Sequence, residues 1–120
     1  MIFVGTDIVP ISRIDKIIQE KGEHFLDHVF SKIEQNICNG MALPSIHYSG
    51  KFAAKEAVKK AILSSKSNPT VTLRSIEINN DTDGAPLVQV DKNKLDYENL
   101  KVSISHAGDY AIATAILELK

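Results

Sequence analysis

The sequence has few of the features that mark a secreted or membrane protein. Its 120 residues include one cysteine, Cys38, so no internal disulfide can form and a reducing compartment is expected. No apolar run approaches the ~18 residues of a membrane span. The first residues, MIFVGTDIV, lack a basic region and include an aspartate, which argues against a signal peptide. These absences predict a soluble cytoplasmic protein with no membrane insertion.

The chain also lacks an excess of charge, with a formal net charge of -1. Nucleic acid is therefore not expected as a partner, and any anion would have to bind at a local basic patch. Hydrophobic residues make up 43% and charged residues 24%, a balance typical of globular proteins. With no repeat or linker, residues 1–120 are predicted to form a single domain.

The order of the predicted elements indicates an α+β fold. A strand over residues 2–9 ends at Pro10, and a helix with Ser12 as N-cap follows and ends at Gly22. A capping box at Ser31 and Glu34 begins a second helix. A third helix runs from Pro44 to about residue 64. Strands are predicted at 72–78, 86–90, 101–105 and 110–119, and consecutive strands favour an antiparallel sheet packed with helices.

The stretch GKFAAKEAVKKAI, residues 50–62, has two interpretations. A helical projection places one apolar face toward the core and four charged residues opposite; the apolar face is Ala54, Ala57, Val58, Ala61 and Ile62, and the charged residues are Lys55, Glu56, Lys59 and Lys60. An ordinary solvated face, with Glu56 and Lys60 as an i,i+4 pair, is favoured by periodicity alone. However, Lys51 and Lys55 lie near the helix start, where the dipole favours anions, which suggests a phosphate site.

Two further residues are ambiguous when each is taken alone. Asp7 lies on the predicted strand and either pairs with Arg13 or caps the strand end; a buried carboxylate otherwise needs a cation. His106 is either a plain turn histidine or a phosphate ligand. Taken together, two carboxylates, several lysines and a histidine suggest Mg²⁺ and a phosphorylated substrate, because Mg²⁺ combines one or two carboxylates with water and phosphate oxygens.

Three segments together resemble the holo-acyl-carrier-protein synthases, the short phosphopantetheinyl transferases. They are GTDIVPISRI, GKFAAKEAVKKA and VSISHAGDYAIA, which occur in the family's order over the whole chain. The resemblance implies Mg²⁺-dependent transfer of 4′-phosphopantetheine from coenzyme A to a serine of apo acyl carrier protein, with release of adenosine 3′,5′-bisphosphate. It also implies a homotrimer with active sites between protomers.

Site residues follow from the resemblance position by position. Asp7 and Glu56 would bind the metal and, with Lys60, form the catalytic group. Arg13 would dock the acidic carrier protein. The implied coenzyme A contacts are Lys51, Lys55, Lys60, Gly84, Pro86, Ser105 and His106. The base that accepts the serine proton stays open among Glu56, Asp7 and a metal-bound water.

The chain departs from the family pattern at three places that concern coenzyme A. Lys51 replaces an arginine, which removes bidentate phosphate binding. Ala85 replaces a basic residue between Gly84 and Pro86, and AILSSKSNPT lacks a glycine-rich turn. Two rival hypotheses are a non-catalytic module that binds coenzyme A or a carrier protein, and a generic trimeric scaffold with a solvated lysine face. The presence of Asp7 and Glu56 favours the enzyme.

Overall fold

Five strands and four helices form an α+β fold in the computed structural model, which describes residues 1–67 and 70–120. The predicted class, with antiparallel sheets packed against helices, is confirmed. The elements in chain order are β1 Ile2–Pro10, α1 Ile11–Lys21, α2 Glu23–Val29, α3 Lys32–Asn39, α4 Pro44–Ser64, β2 Glu77–Asn80, β3 Pro86–Gln89, β4 Tyr97–Ala107 and β5 Tyr110–Leu119. No helix in the described ranges is both long and apolar enough to cross a membrane.

Two antiparallel sheets form, and β5 is central in the larger one, whose order is β1-β5-β4. The hairpin of β4 and β5 forms as predicted, with Gly108 in the turn at a φ of 58°. A separate hairpin pairs β2 with β3. The strand predicted over 72–78 is too long: a turn in which the Ser75 N–H donates to the Thr72 carbonyl precedes it, and pairing begins at Glu77.

Of two predicted helix N-caps, one is confirmed and the other is wrong. The capping box at Ser31 and Glu34 is present, with both reciprocal hydrogen bonds. The predicted N-cap at Ser12 is wrong, because α1 begins at Ile11 directly after Pro10. Ser12 binds Asp109 in the β4–β5 turn instead, through its backbone N–H at 2.9 Å and its hydroxyl at 2.6 Å. Helix α2 was not expected.

Helix α4 packs across the inner face of the larger sheet. The predicted apolar face of α4 is buried, and it meets three inward-facing alanines of β5, which are Ala111, Ala113 and Ala115. Gly5 on β1 allows the closest approach: a Cβ added there would overlap the Ala57 carbonyl oxygen and lie 2.7 Å from the Ala61 nitrogen. The small residues on both sides therefore hold β1 and α4 close together.

Two sequence interpretations concern the surroundings of α4. The placement of Lys55 on its charged outer face is wrong, because this side chain is fully buried. The stretch AILSSKSNPT includes positions 68 and 69, which lie outside the described residues, so the lack of a glycine-rich turn there stays a statement about the sequence.

Candidate active site

A pocket of about 860 Å³ opens between α3, the first turns of α4, the β2–β3 hairpin and β4. Four of the predicted coenzyme A contacts line it: Lys51, Gly84, Pro86 and His106. The remaining described wall is mostly apolar and consists of Ile33, Ile37, Met41, Ile46, His47, Gly50, Ile78, Asn79, Asn80 and Ile104. A concave, largely apolar wall with a few basic groups suits a ligand that carries both a flat ring and phosphates.

The ionisable side chains of the described wall are all basic. They are Lys51, His106 and His47. Of these three residues, only His47 was not predicted from the sequence. Lys51 is only 5% exposed and donates from Nζ to the Ile78 carbonyl at 2.6 Å. Burial lowers the pKa of Lys51. Burial also lowers the pKa of His47, and the positive charges of Lys51 and His106 lower it further. The sequence did contain a signal for His47: it precedes Lys51 by four residues, a spacing that places two side chains on the same side of a helix.

Asp7 and Lys60 contact each other outside the described pocket wall, and Glu56 is on the same side of α4 as Lys60. The Lys60 ammonium lies 3.1 Å from Asp7 Oδ1 and also donates to the Thr6 carbonyl at 3.0 Å. The Asp7 side chain is 16% exposed, so it is half-buried as expected, but its ion-pair partner is Lys60 and not Arg13. Glu56 lies one helical turn before Lys60 on the same side of α4. None of these three lines the pocket.

The chemistry of this carboxylate pair fits a hard divalent cation. Lys60 neutralises Asp7, and none of the ion pairs among the described residues includes Glu56, so the predicted Glu56–Lys60 pair does not form. In the described part of the chain, no three His, Cys, Asp or Glu side chains gather as a metal site. Two carboxylates nevertheless match what Mg²⁺ takes from a protein when substrate phosphates and water supply its other ligands.

Lys55 is placed in the core and does not reach the pocket. Its ammonium lies 2.8 Å from Glu34 Oε1, with both side chains fully buried, and it also donates to the Leu73 and Ile76 carbonyls. All of its donors are therefore engaged by protein groups. The prediction that Lys55 contacts coenzyme A is corrected accordingly, since a side chain with no exposed surface cannot touch a ligand.

Ser105 and Arg13 are both exposed and outside the pocket wall. Ser105 lies between two pocket residues of β4, Ile104 and His106, and strand alternation turns it to the opposite face. Arg13 lies in the first turn of α1. The structure therefore places one group of predicted site residues around the pocket and a second group around Asp7. Ser105 and Arg13 belong to neither group.

The two groups of residues suit different parts of a phosphorylated ligand, because basic side chains bind phosphates and carboxylates bind a hard divalent cation. Comparison with known proteins defines the class more closely. The family model of the 4′-phosphopantetheinyl transferase superfamily matches residues 3–115. The chain therefore belongs to this superfamily, as the sequence resemblance predicted.

Three proteins that are similar to this chain over nearly their full length share one name. A holo-[acyl-carrier-protein] synthase of Protochlamydia amoebophila is 39% identical over 116 residues, 94% of each chain. One of Thermodesulfovibrio yellowstonii is 40% identical over 115 residues, 95% of this chain and 96% of the relative. The crystal structure of the Helicobacter pylori holo-[acyl-carrier-protein] synthase in complex with coenzyme A is 31% identical, with a TM-score of 0.84 over 96% of this chain and 99% of that one.

Proposed function

We propose that this protein is a holo-[acyl-carrier-protein] synthase, which transfers 4′-phosphopantetheine from coenzyme A to a serine of an apo acyl carrier protein. The observation that carries the proposal is the match to the superfamily over residues 3–115, combined with full-length relatives that have this name. Residues 1–120 would form one catalytic domain. A cytoplasmic location fits the single cysteine, which is buried.

Coenzyme A is proposed to bind in the pocket beside α4. Lys51 and His106 supply positive charge for a phosphate, and the isoleucine-rich wall accommodates the adenine ring. Gly84, with a φ of 87°, shapes the β2–β3 turn so that Pro86 borders the pocket. This assignment retains Lys51, Gly84, Pro86 and His106 from the sequence prediction, and it assigns Lys55 to the core.

The reaction is proposed to take place at Asp7, Glu56 and Lys60. Asp7 and Glu56 would hold Mg²⁺, which when bound neutralises charge on the pyrophosphate. The serine oxygen forms a bond to the phosphorus of phosphopantetheine, and the bond from that phosphorus to the oxygen of adenosine 3′,5′-bisphosphate breaks. Lys60 stabilises the departing negative charge. The serine proton would pass to a base, for which the candidates are Glu56, Asp7 and a metal-bound water.

A homotrimer would bring the two groups of residues together. In one chain the carboxylate pair is not part of the pocket wall. The outer face of the larger sheet carries exposed apolar residues, with Val4 opposite Ile116 and Ile8 opposite Ile112. We propose that three chains meet through this face, so that Asp7 and Glu56 of one chain border the pocket of the next. Arg13 on α1 would then be free to dock the acidic carrier protein.

Intact mass measurement tests the activity. After incubation with coenzyme A and Mg²⁺, an apo acyl carrier protein should gain one phosphopantetheine group, and EDTA should prevent the gain. Glu56→Gln should lower the rate about 100-fold, because a metal ligand that stabilises charge in the transition state is lost. Glu20→Gln, which alters an exposed glutamate on α1, should transfer normally.

Two results would count against this proposal. No mass gain with several carrier proteins, while coenzyme A still binds, would favour a non-catalytic binding module. Normal turnover in Glu56→Gln would remove Glu56 from the mechanism.

A further inference from the structure

We propose that His47 is a further coenzyme A-binding residue, which together with Lys51 and His106 holds the 3′-phosphate and takes up a proton as the phosphate binds. This inference rests on the proposed binding of coenzyme A in the pocket. It adds a residue outside the segments that carry the family resemblance.

The charge of the pocket wall points to an anion. Every ionisable side chain in the described wall is a base, and no carboxylate is among them. The three bases come from two elements, since His47 and Lys51 belong to α4 and His106 to β4. The first turn of α4 contains no acidic residue, so the positive end of its dipole also favours an anion here.

The packing of α4 against β4 brings these three bases together. His47 and Lys51 are four residues apart and lie on the same side of the helix. Gly50, between them, allows β4 to come close: a Cβ added there would lie 3.0 Å from Cγ2 of Ile104. His106 is two residues beyond Ile104 and shares its side of the strand, so it borders the same pocket.

Among the phosphates of coenzyme A, the 3′-phosphate suits this group of bases best. The pyrophosphate is proposed to lie at Asp7, Glu56 and Lys60, and none of these residues lines the pocket. The 3′-phosphate is a monoester with a charge of about -1.5 to -2 at neutral pH. A dianion of this kind is matched by several cationic donors and by a described wall that contains no carboxylate.

The electrostatics of the empty pocket explain why a proton should be taken up. Burial and the charges of Lys51 and His106 keep the pKa of His47 below its ordinary value, so this imidazole is neutral near pH 7. No ionisable side chain of α3 or of the β2–β3 hairpin lines the described wall, but Glu34 of α3 and Glu77 of β2 attract the positive charge of Lys51. A bound phosphate opposes this repulsion and raises the pKa of His47. Affinity for coenzyme A should therefore increase as the pH falls from about 8 to about 6.5, a range in which the phosphate, with a second pKa of about 6, keeps most of its charge.

Calorimetric titration of the full chain with coenzyme A and with dephospho-coenzyme A tests the inference. His47→Phe should weaken coenzyme A binding roughly tenfold at about pH 6.5, the effect of losing one hydrogen bond to a charged group. It should leave dephospho-coenzyme A binding unchanged. His47→Gln keeps a neutral donor, so it should bind better than His47→Phe. It should take up fewer protons than the wild type, as titrations in buffers of different ionisation enthalpy reveal, and only the contribution of His106 should remain.

His24→Gln is the matched control, because His24 is exposed on α2 and outside the pocket. It should behave as the wild type with both ligands. Equal coenzyme A affinity in wild type and His47→Phe would overturn the role of His47. Equal losses for both ligands would overturn the assignment to the 3′-phosphate. Failure of the wild type to bind coenzyme A at all would instead refute the proposed function on which this inference depends.

Discussion

At the scale of single residues, the buried Glu34 carboxylate joins three elements. Its Oε1 pairs with Lys55 of α4 and accepts the Ser31 N–H in the capping box of α3. Its Oε2 accepts the N–H of Ile78 in β2 at 2.7 Å. A buried charge is tolerated when its partner and hydrogen bonds are all supplied by the protein. This pair thus fixes the β2 wall of the pocket relative to α4.

We expect Lys55→Met to lower the free energy of unfolding by about 3–5 kcal/mol, because the Glu34 carboxylate would remain buried without its partner. Urea denaturation followed by circular dichroism measures the change. Lys16→Met is the control: this lysine is exposed and lies 4.0 Å from Glu20, so its loss should cost less than about 1 kcal/mol. A Lys55→Met protein as stable as the control would show that the ion pair does not stabilise the fold.

At the scale of elements, the contact between β1 and α4 positions the proposed metal ligands. Gly5 leaves room for the helix backbone, and Asp7 is two residues further along the same face of β1. Asp7 therefore meets the side of α4 that carries Lys60, and Glu56 lies one turn away. Because Gly5 has no side chain, β1 can lie close to α4. The positions of Asp7 and Glu56 relative to each other depend on this short distance.

Gly5→Ala should destabilise the protein by about 1–3 kcal/mol or more, because the new Cβ meets helix backbone that cannot rotate away. Phosphopantetheine transfer by the remaining folded protein should also slow, since Asp7 is displaced. Thermal unfolding and the mass assay measure the two effects. Gly40→Ala is the matched control, because its Cβ would have only ordinary contacts, at 3.5 and 3.6 Å. Wild-type stability in Gly5→Ala would contradict this account of the packing.

At the scale of the whole molecule, none of the described elements of a single chain covers the outer face of the larger sheet. α4 covers its inner face, while Ile8 on the outer face is 59% exposed and lies beside Ile112. Contiguous apolar surface of this kind marks an interaction site more often than scattered exposed residues do. The proposed trimer would bury it.

Light scattering after size exclusion tests the proposed assembly. The wild type should have the mass of three chains. Ile8→Lys should have the mass of one, because a lysine there would be desolvated at the interface. Leu87→Lys, on β3 in the smaller sheet, should remain trimeric. Transfer should fall together with the assembly if neighbouring chains complete each site. A monomeric wild type at micromolar concentration would contradict the proposal.

Local patterns in the sequence predicted the features that depend on near neighbours along the chain. Alternation of side chains predicted β1 and the last hairpin, and the spacing of Ser31 and Glu34 predicted the start of a helix. The periodicity of apolar residues predicted the buried face of α4. The quoted segments indicated the superfamily. Four of the predicted coenzyme A contacts line one pocket. The predicted role of Lys55 is wrong, and the roles of the other site residues stay predictions.

Only the tertiary structure decided which charged residues are buried and which partners they have. The period of α4 placed Lys55 outside, yet the packing of α3 and the chain at 73–78 covers it and supplies Glu34. Asp7 pairs with Lys60, which is 53 residues away. His47 joins Lys51 and His106 because β4 packs at Gly50. A one-dimensional pattern specifies the faces of an element, whereas the burial and partners of a charge depend on what the rest of the chain places against that face.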